Sequence, residues 1–511
     1  MSSVIVHNQF SIYIEPATVV RIEIKIVSSR SFNLEVSLVT YSKLVVDNVY
    51  FVYLKTFKTK IMNRQNRRDF IRKSALGGLG LAGASSMKMS AQSYNNILGA
   101  NDRLHVAIAG LGRRLGAYYA PIAHKKSNVR LAYLCDAKQS QMSRAAERFK
   151  KHISYQPTLE QNIFKVLEDD KVDVLINAMP DHWHTPGAIM AMKSGKHVYV
   201  EKPSSCTMQE NELLVAAAKK YNKVVQMGNQ QRSSAHTQQI VNKIHNGQIG
   251  TAYKAVAFYS NGRGEVPKQQ NAPIPQGLDW ELWQGPAVHR NYTSETWDYN
   301  WHWYGWNYGT AEMGNNATHE LDVARWALDV NLPKRVEVEA AKRHFPDDGW
   351  EMYDTMLARF TFEDDKIIEW DGKSRTAYKT YGNDRGVIVF GSDGSVFVNR
   401  GHYKLFDRKG KLIEEVSSGG QEGGIALGGG GDMSTTHVMN FFDTIRGKAI
   451  ANAPIDDANV SMAMVHYANV SARIKQNFDV DQHKGTMFNR TAMELWSKPY
   501  EESWKEKFLM L

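Results

Sequence analysis

Gly110-Leu-Gly112-Arg-Arg-Leu-Gly116 follows the apolar run Leu104–Ala109 and precedes a helical stretch. Glycines at a strand-to-helix turn let the backbone approach a pyrophosphate, and the first helical turn adds amide donors and a favourable dipole. The third glycine comes one residue later than in the usual GxGxxG spacing. The next strand, Val129–Asp136, ends in a carboxylate. An aspartate there accepts hydrogen bonds from ribose hydroxyls and repels a 2′-phosphate, so NAD is expected over NADP. Asn315 and His319 are four apart and are expected on one helical face. His182 and His184 flank Trp183 without further ligands nearby, and His319-Glu320 lacks a histidine at 323. The zinc-protease pattern therefore fails, and no metal is expected.

The elements around these residues alternate between strand and helix. After the first two strands come strands Val172–Ala178, His197–Glu201 and Lys223–Met227, with helices at Pro186–Ser194 and Glu210–Tyr221. This alternation predicts a doubly wound parallel sheet, with ligands at the carboxyl ends of its strands. Further strands are expected at Ala252–Tyr259, Arg335–Arg343, Asp354–Phe362, Lys366–Gly372, Gly386–Gly391 and Ser395–Asn399. The Gly-rich stretch Ser417–Asp432 is expected to be a mobile loop, and Thr435–Arg446 and Val460–Lys475 late helices.

The 511 residues suffice for two or three domains. The net charge of +10 is concentrated in the leader. Residues 1–91 carry 13 basic and 5 acidic side chains, which leaves 50 and 48 for the rest of the chain. No phosphate-binding field of the kind nucleic acids require is implied. The two cysteines, Cys135 and Cys206, exclude a disulfide framework. Asn66-Arg67-Arg68-Asp69-Phe70 resembles a twin-arginine export motif, followed by the mild apolar run Ser74–Ala84 and a small-residue site at Met89-Ser90-Ala91. That run is too short to span a bilayer. Residues 62–91 thus read as a signal for export to the periplasm, with a cytoplasmic basic arm as the alternative. Residues 1–61 read as an upstream extension, with Met62 as the natural start.

His184-Thr-Pro, the run Gly195-Lys-His-Val-Tyr-Val-Glu-Lys-Pro203, and Met227-Gly-Asn-Gln-Gln-Arg232 together resemble the Gfo/Idh/MocA oxidoreductase family. Asp279-Trp-Glu-Leu-Trp-Gln-Gly-Pro286 and Asn315-Asn-Ala-Thr-His-Glu-Leu-Asp322 extend the likeness, which runs from about residue 102 to about residue 475. The resemblance implies an α/β protein. A Rossmann domain at 102–227 precedes an α/β domain at 228–475 with a large, mostly antiparallel open sheet, and 476–511 form a tail. It implies NAD contacts from Gly110, Leu111, Gly112, Arg113, Arg114, Asp136, Pro180, His182, His184, Glu201, Lys202, Asn229 and Gln230. Lys202 is expected as the cation beside the substrate hydroxyl and His319 as proton acceptor. Asn315 stands where relatives commonly carry aspartate, so it orients the imidazole without a charge. Trp303, Trp306, Tyr308 and Arg232 are expected to meet the sugar.

The activity implied is oxidation of a CH–OH group of a sugar, sugar derivative or cyclitol, in a homo-oligomer that binds neither nucleic acid nor membrane. One alternative is an NAD-assisted glycosidase or lyase that works through a transient keto-sugar. N-acetylgalactosaminidases of this type carry Tyr-Pro-Thr-His, where this chain has Asn316-Ala-Thr-His319. The other alternative is a sugar-binding protein that keeps NAD without turnover.

The export reading is checked by peptide mapping of the natively expressed protein. No peptide from residues 1–61 is expected; finding one would overturn Met62 as the start.

Overall fold

The computed structural model describes residues 102–294, 299–417 and 432–509, and the backbone of four strands within 7–59. Those four strands, His7–Tyr13, Thr18–Ser29, Ser31–Val46 and Val49–Thr59, pair antiparallel in sequence order. The upstream segment, whose sequence carries no clear fold signal, thus forms a meander of its own. The twin-arginine stretch and the Gly-rich residues 418–431 lie outside the described residues.

Strands are numbered from residue 102 onward. β1 (Leu104–Ala109), β2 (Val129–Cys135), β3 (Thr158–Glu160), β4 (Val174–Asn177), β5 (His197–Val200) and β6 (Val225–Met227) form a parallel sheet ordered β3-β2-β1-β4-β5-β6. This is the doubly wound order, with its switch point between β1 and β4. The central strands are apolar on both faces because helices cover both, which is why they read as continuous hydrophobic runs. The short β3 carries no such run and was not anticipated.

The second sheet has ten strands: β7 (Ala252–Gly262), β8 (Arg335–Ala341), β9 (Thr355–Thr361), β10 (Ile367–Lys373), β11 (Arg375–Thr376), β12 (Arg385–Gly391), β13 (Gly394–Val398), β14 (His402–Asp407), β15 (Leu412–Ser417) and β16 (Phe478–Asp479). The order is β15-β14-β13-β12-β7-β10-β9-β8-β16, with β11 on β7, and only β7–β10 is parallel. The period of two is visible in β9: Met356, Ala358 and Phe360 are buried while Leu357 and Arg359 face out. The buried face packs on helices Thr318–Leu328 and Ile455–Ile474. β14 and β15 lie beyond the strands expected from the sequence, as a hairpin rich in charge whose first strand buries Tyr403 and Leu405 while the second is largely exposed.

Two segments cross the expected boundaries. The helix Asp432–Ile445 joins Val438, Phe441 and Phe442 to the core of the first domain: the Phe441 ring meets Tyr199 of β5 edge-on, with centroids 5.8 Å apart, and the helix packs on Arg113–Tyr118 and Tyr119–Ala123. The expected tail also returns to the first domain: Trp504 packs edge-on against Trp183, with ring centroids 5.1 Å apart, and beside Phe164. The helix expected from Pro186 starts at Asp181 instead, with Pro186 inside it. The Asn177 side-chain amide donates to the carbonyls of Trp183 and His184, 3.2 and 3.0 Å away, beside the position where proline offers no N–H.

Gly110 sits at φ +86°, where a Cβ would lie 2.3 Å from the Ala178 carbonyl oxygen. Glycine alone fits between β1 and the end of β4. Gly110→Ala is expected to cost about 2 kcal/mol or more of stability. An unchanged urea-denaturation midpoint would overturn this reading of the turn.

Candidate active site

Every connection that leaves the carboxyl end of the central parallel strands opens on one cleft of about 760 Å³. Gly110, Gly112, Arg113 and Arg114 follow β1, Asp136 follows β2, Pro180, Asp181 and His184 follow β4, Glu201 and Lys202 follow β5, and Gln230 follows β6. The second domain faces them with Tyr299, His302, Asn315, His319, Arg385 and Arg400.

Glu201 anchors the first side. It accepts from Arg114 Nε at 2.8 Å, Tyr118 OH at 2.9 Å and Gln230 Nε2 at 3.3 Å. Burial raises its carboxyl, but the Arg114 guanidinium outweighs this and holds it below the usual range. Lys202 extends from the same loop and donates from Nζ to the Asn315 carbonyl at 2.6 Å. That carbonyl belongs to a π-helical turn, Met313–Ala317, which runs into the α-helix Thr318–Leu328. A wide turn of this kind leaves carbonyls open to other donors. The Thr318 hydroxyl reaches those of Met313 and Gly314, and Lys202 takes that of Asn315. Gly314 permits the approach, since a Cβ there would lie 2.9 Å from Pro203 Cγ.

Burial lowers the Lys202 ammonium to about 8, against the opposing pull of Asp181 and Glu201. Asp181 accepts from the Thr310 hydroxyl at 2.6 Å, and burial raises its carboxyl to about 7. Both groups therefore titrate close to neutrality. His184 Nδ1 donates to the Pro203 carbonyl at 2.5 Å, and burial lowers the ring to about 4, so Nε2 is a neutral acceptor. His319 is held well below its ordinary value by burial and then by Arg400, Lys202, Arg385 and Arg114. Its imidazole makes no hydrogen bond among the described residues. The expected orientation by Asn315 is not present: the Asn315 amide pairs with the Tyr299 hydroxyl, Nδ2 donating at 3.1 Å. The π-helical turn spaces residues differently from the α-helix that the four-residue interval assumes.

A dinucleotide fits the first side. Gly112 has open space where a Cβ would be, and Arg114 Nη2 and His184 Nε2 are buried without partners. Asp136 lines the cleft, with the backbone N–H groups of Leu111 and Lys138 donating to its two oxygens at 2.8 and 2.9 Å. Leu111 itself is a core residue that reaches the site through this N–H. His182 and Asn229 are buried but do not line the cleft. The His182 ring sits against Trp283 and Tyr308, and the Asn229 amide has no partner.

The expected sugar contacts need correction. Trp303 is 0 % exposed and stacks on Trp350, with centroids 4.3 Å apart. Tyr308 packs on Trp280 and Trp283, and Trp306 beside Tyr353 under Arg473. Arg232 is committed to Asp322 in a buried bidentate pair of 2.8 Å bonds. None of the four lines the cleft; the aromatic segment contributes Tyr299, Trp301 and His302 instead. Aromatic density marked the segment, but only the fold separates its core face from its cleft face. Asp181, Arg385 and Arg400 carried no motif, although Asp181 lies within Pro180-Asp-His-Trp-His184. Among the described residues no three of His, Cys, Asp or Glu converge as metal ligands, and no helix is long and apolar enough to cross a membrane.

With this geometry in view, two family profiles match the chain. The profile described as an oxidoreductase family with an NAD-binding Rossmann fold covers residues 104–229, and that of its C-terminal alpha/beta domain covers residues 240–400. A glycosyl hydrolase family 109 protein from Saccharopolyspora erythraea is 31% identical over 220 residues, 40% of this chain and 48% of that protein. The alpha-N-acetylgalactosaminidase of Shewanella oneidensis is 24% identical over 317 residues, 56% of this chain and 63% of that enzyme. The alignments thus span about half to under two thirds of these relatives. Among solved structures, levoglucosan dehydrogenase in complex with NADH and levoglucosan superposes with a TM-score of 0.56 at 19% identity, covering 74% of this chain and 100% of that one. The WlbA dehydrogenase of Bordetella pertussis, in complex with NADH and UDP-GlcNAcA, gives 0.55 at 18%, covering 74% and 99%. At these identities the likeness is one of fold.

The Asp181 carboxyl, raised from 3.8 to about 7, contributes stability that is full below its unfolded value and lost as pH rises through the folded one. Asparagine mimics the protonated acid at every pH. The thermal midpoint of Asp181→Asn is therefore expected to gain on the wild type between pH 4 and about pH 7 and to hold that lead above it. A pH-independent difference would show that Asp181 is not buried as described.

Proposed function

Since the chain belongs to the Gfo/Idh/MocA oxidoreductase family, we infer that it oxidises a CH–OH group of a sugar, sugar derivative or cyclitol, using NAD rather than NADP. The observation that carries this reading is the meeting of Lys202, Asp181 and His319 with the glycine turn in one cleft. Bound along Gly110–Arg114 and Asp136, NAD supplies the hydride acceptor. The Asp136 carboxylate favours ribose hydroxyls over a phosphate at that position.

Oxidation of an alcohol leaves a developing negative charge on oxygen and a proton to be removed. Lys202, protonated at neutral pH, donates to that oxygen and stabilises the charge. His319 is neutral and unengaged, so its ring accepts the hydroxyl proton. The surrounding cations disfavour imidazolium, so the proton does not rest there. Asp181, at about 7, is the group in the same cleft suited to hold a proton.

The named relatives favour a second reading that shares this first step. In it, transient oxidation of a ring hydroxyl would acidify the neighbouring C–H, loss of that proton would expel the aglycone and leave a double bond, water would add across it, and return of the hydride would restore the sugar. Asn316-Ala-Thr-His319 departs from the Tyr-Pro-Thr-His pattern associated with such N-acetylgalactosaminidases. Export by the twin-arginine route, read from Arg67-Arg68, fits either reaction if one cofactor stays resident and is recycled.

Purified protein is expected to release about one NAD(H) per chain on denaturation, read by mass spectrometry. Lys202→Met is expected to abolish cofactor redox change across a panel of sugars and glycosides while NAD stays bound, a loss of about a thousandfold or more. Absent cofactor, or activity retained in the variant, would overturn the reading.

A further inference from the structure

The arginines on the cleft wall are not alike. Arg114 is paired with Glu201 at 2.8 Å, Arg263 with Glu312 at 2.8 Å, and Arg385 with Glu320 at 2.6 Å. Arg144 donates to the Leu111 carbonyl at 3.2 Å, and the exposed Arg113 lies over the Tyr299 ring. Arg400 has no hydrogen bond, ion pair or ring contact among the described residues, and its Nε is buried. Glu320, the carboxylate whose field reaches it, already accepts from Arg385 and Gln231.

A half-buried guanidinium left without an acceptor is costly, because its donors have given up water for nothing. Burial and then Arg385 lower it to about 9, far beneath the usual arginine value. The backbone holds it in place despite this cost. Arg400 occupies the tight turn between β13 and β14, where the Asn399 side chain accepts from the N–H groups of Gly401 and His402, both at 2.9 Å. The Asn399 carbonyl is bound in turn by His236 Nε2 at 2.9 Å. The turn is braced from both sides, and its guanidinium faces the cleft beside His319, where Arg400 is the first charge acting on the imidazole.

We propose that Arg400 receives an anionic group of the substrate, so that this cleft takes sugars carrying a carboxylate or a phosphate in preference to neutral ones. The proposal rests on the sugar-oxidising reading above and names its substrate class. Arg400, His319 and Arg385 come from the second domain, opposite the glycine turn that fits the dinucleotide. A planar guanidinium with five donors matches a carboxylate or phosphate in two parallel bonds. An anion there would also offset the cations that oppose a proton on His319.

The test measures binding, independent of turnover. NAD-loaded Lys202→Met protein is titrated calorimetrically with D-glucuronate, D-gluconate and D-glucose 6-phosphate, each compared with D-glucose. At least one anion is expected to bind roughly tenfold or more tightly than D-glucose. Which anion it is separates a carboxylate from a phosphate. Adding Arg400→Met is expected to erase that preference while NAD stays bound and the thermal midpoint is held or raised, since a buried charge without an acceptor is removed, and Arg400→Lys to restore part of the preference. If no anion is preferred, or the preference survives Arg400→Met, the assignment falls. If the anion binds through Arg400 but the unsubstituted protein never reduces its cofactor with it, the assignment stands and the redox reading falls.

Discussion

The bond from Lys202 Nζ to the Asn315 carbonyl ties the two halves of the cleft together. One end lies in the loop after β5 of the parallel sheet, the other in a π-helical turn of the second domain. An ammonium so placed needs an acceptor to offset its desolvation, and a regular α-helix would have spent that carbonyl on its own ladder. The π-helical turn leaves it available, and Gly314 lets the turn lie against Pro203. The lysine, the imidazole one turn further on and the glycine loop therefore share one frame.

Around that bond the charges are sorted by partner. Glu201 takes three donors and is held ionised, and Arg385 takes Glu320. Asp181 and Lys202 have weaker compensation, so burial moves both toward neutrality from opposite sides. Burial lowers the histidines as well: His184, His302 and His319 are neutral near pH 7, with the nearby Lys202 adding to the effect. The paired Glu201 and Arg385 are thus fixed charges, and proton movement is left to Asp181 and Lys202 between them.

The parallel sheet was legible because fully buried strands leave continuous apolar runs, and because glycine and aspartate stood at the ends of the first two. Glu201, Lys202 and His319 were legible through the motifs that carry the family resemblance, and all three line the cleft. The sugar-facing aromatics were not. Trp303 and Trp301 are two residues apart in one aromatic segment, yet one is sealed in the core and the other lines the cleft. Composition cannot distinguish them, because side-chain direction there is set by long-range packing. Arg232 looked like a free cation because its partner Asp322 lies 90 residues away. Arg400 gave no signal at all, since a turn arginine in a charged hairpin reads as a solvated one. The start of the Asp181 helix was missed because Pro186 reads as a helix start, whereas here it lies inside a helix that begins at Asp181.

The path of the chain carries a consequence for how the molecule is made. Helix Asp432–Ile445 and the segment around Trp504 leave the ribosome more than two hundred residues after the nucleotide-binding half, yet they pack on it. Tyr199 is translated more than two hundred residues before Phe441 arrives to pack against it. The nucleotide-binding half therefore does not complete its core from its own residues. Until those segments emerge, part of its apolar surface stays uncovered, and that interval is when shielding matters most.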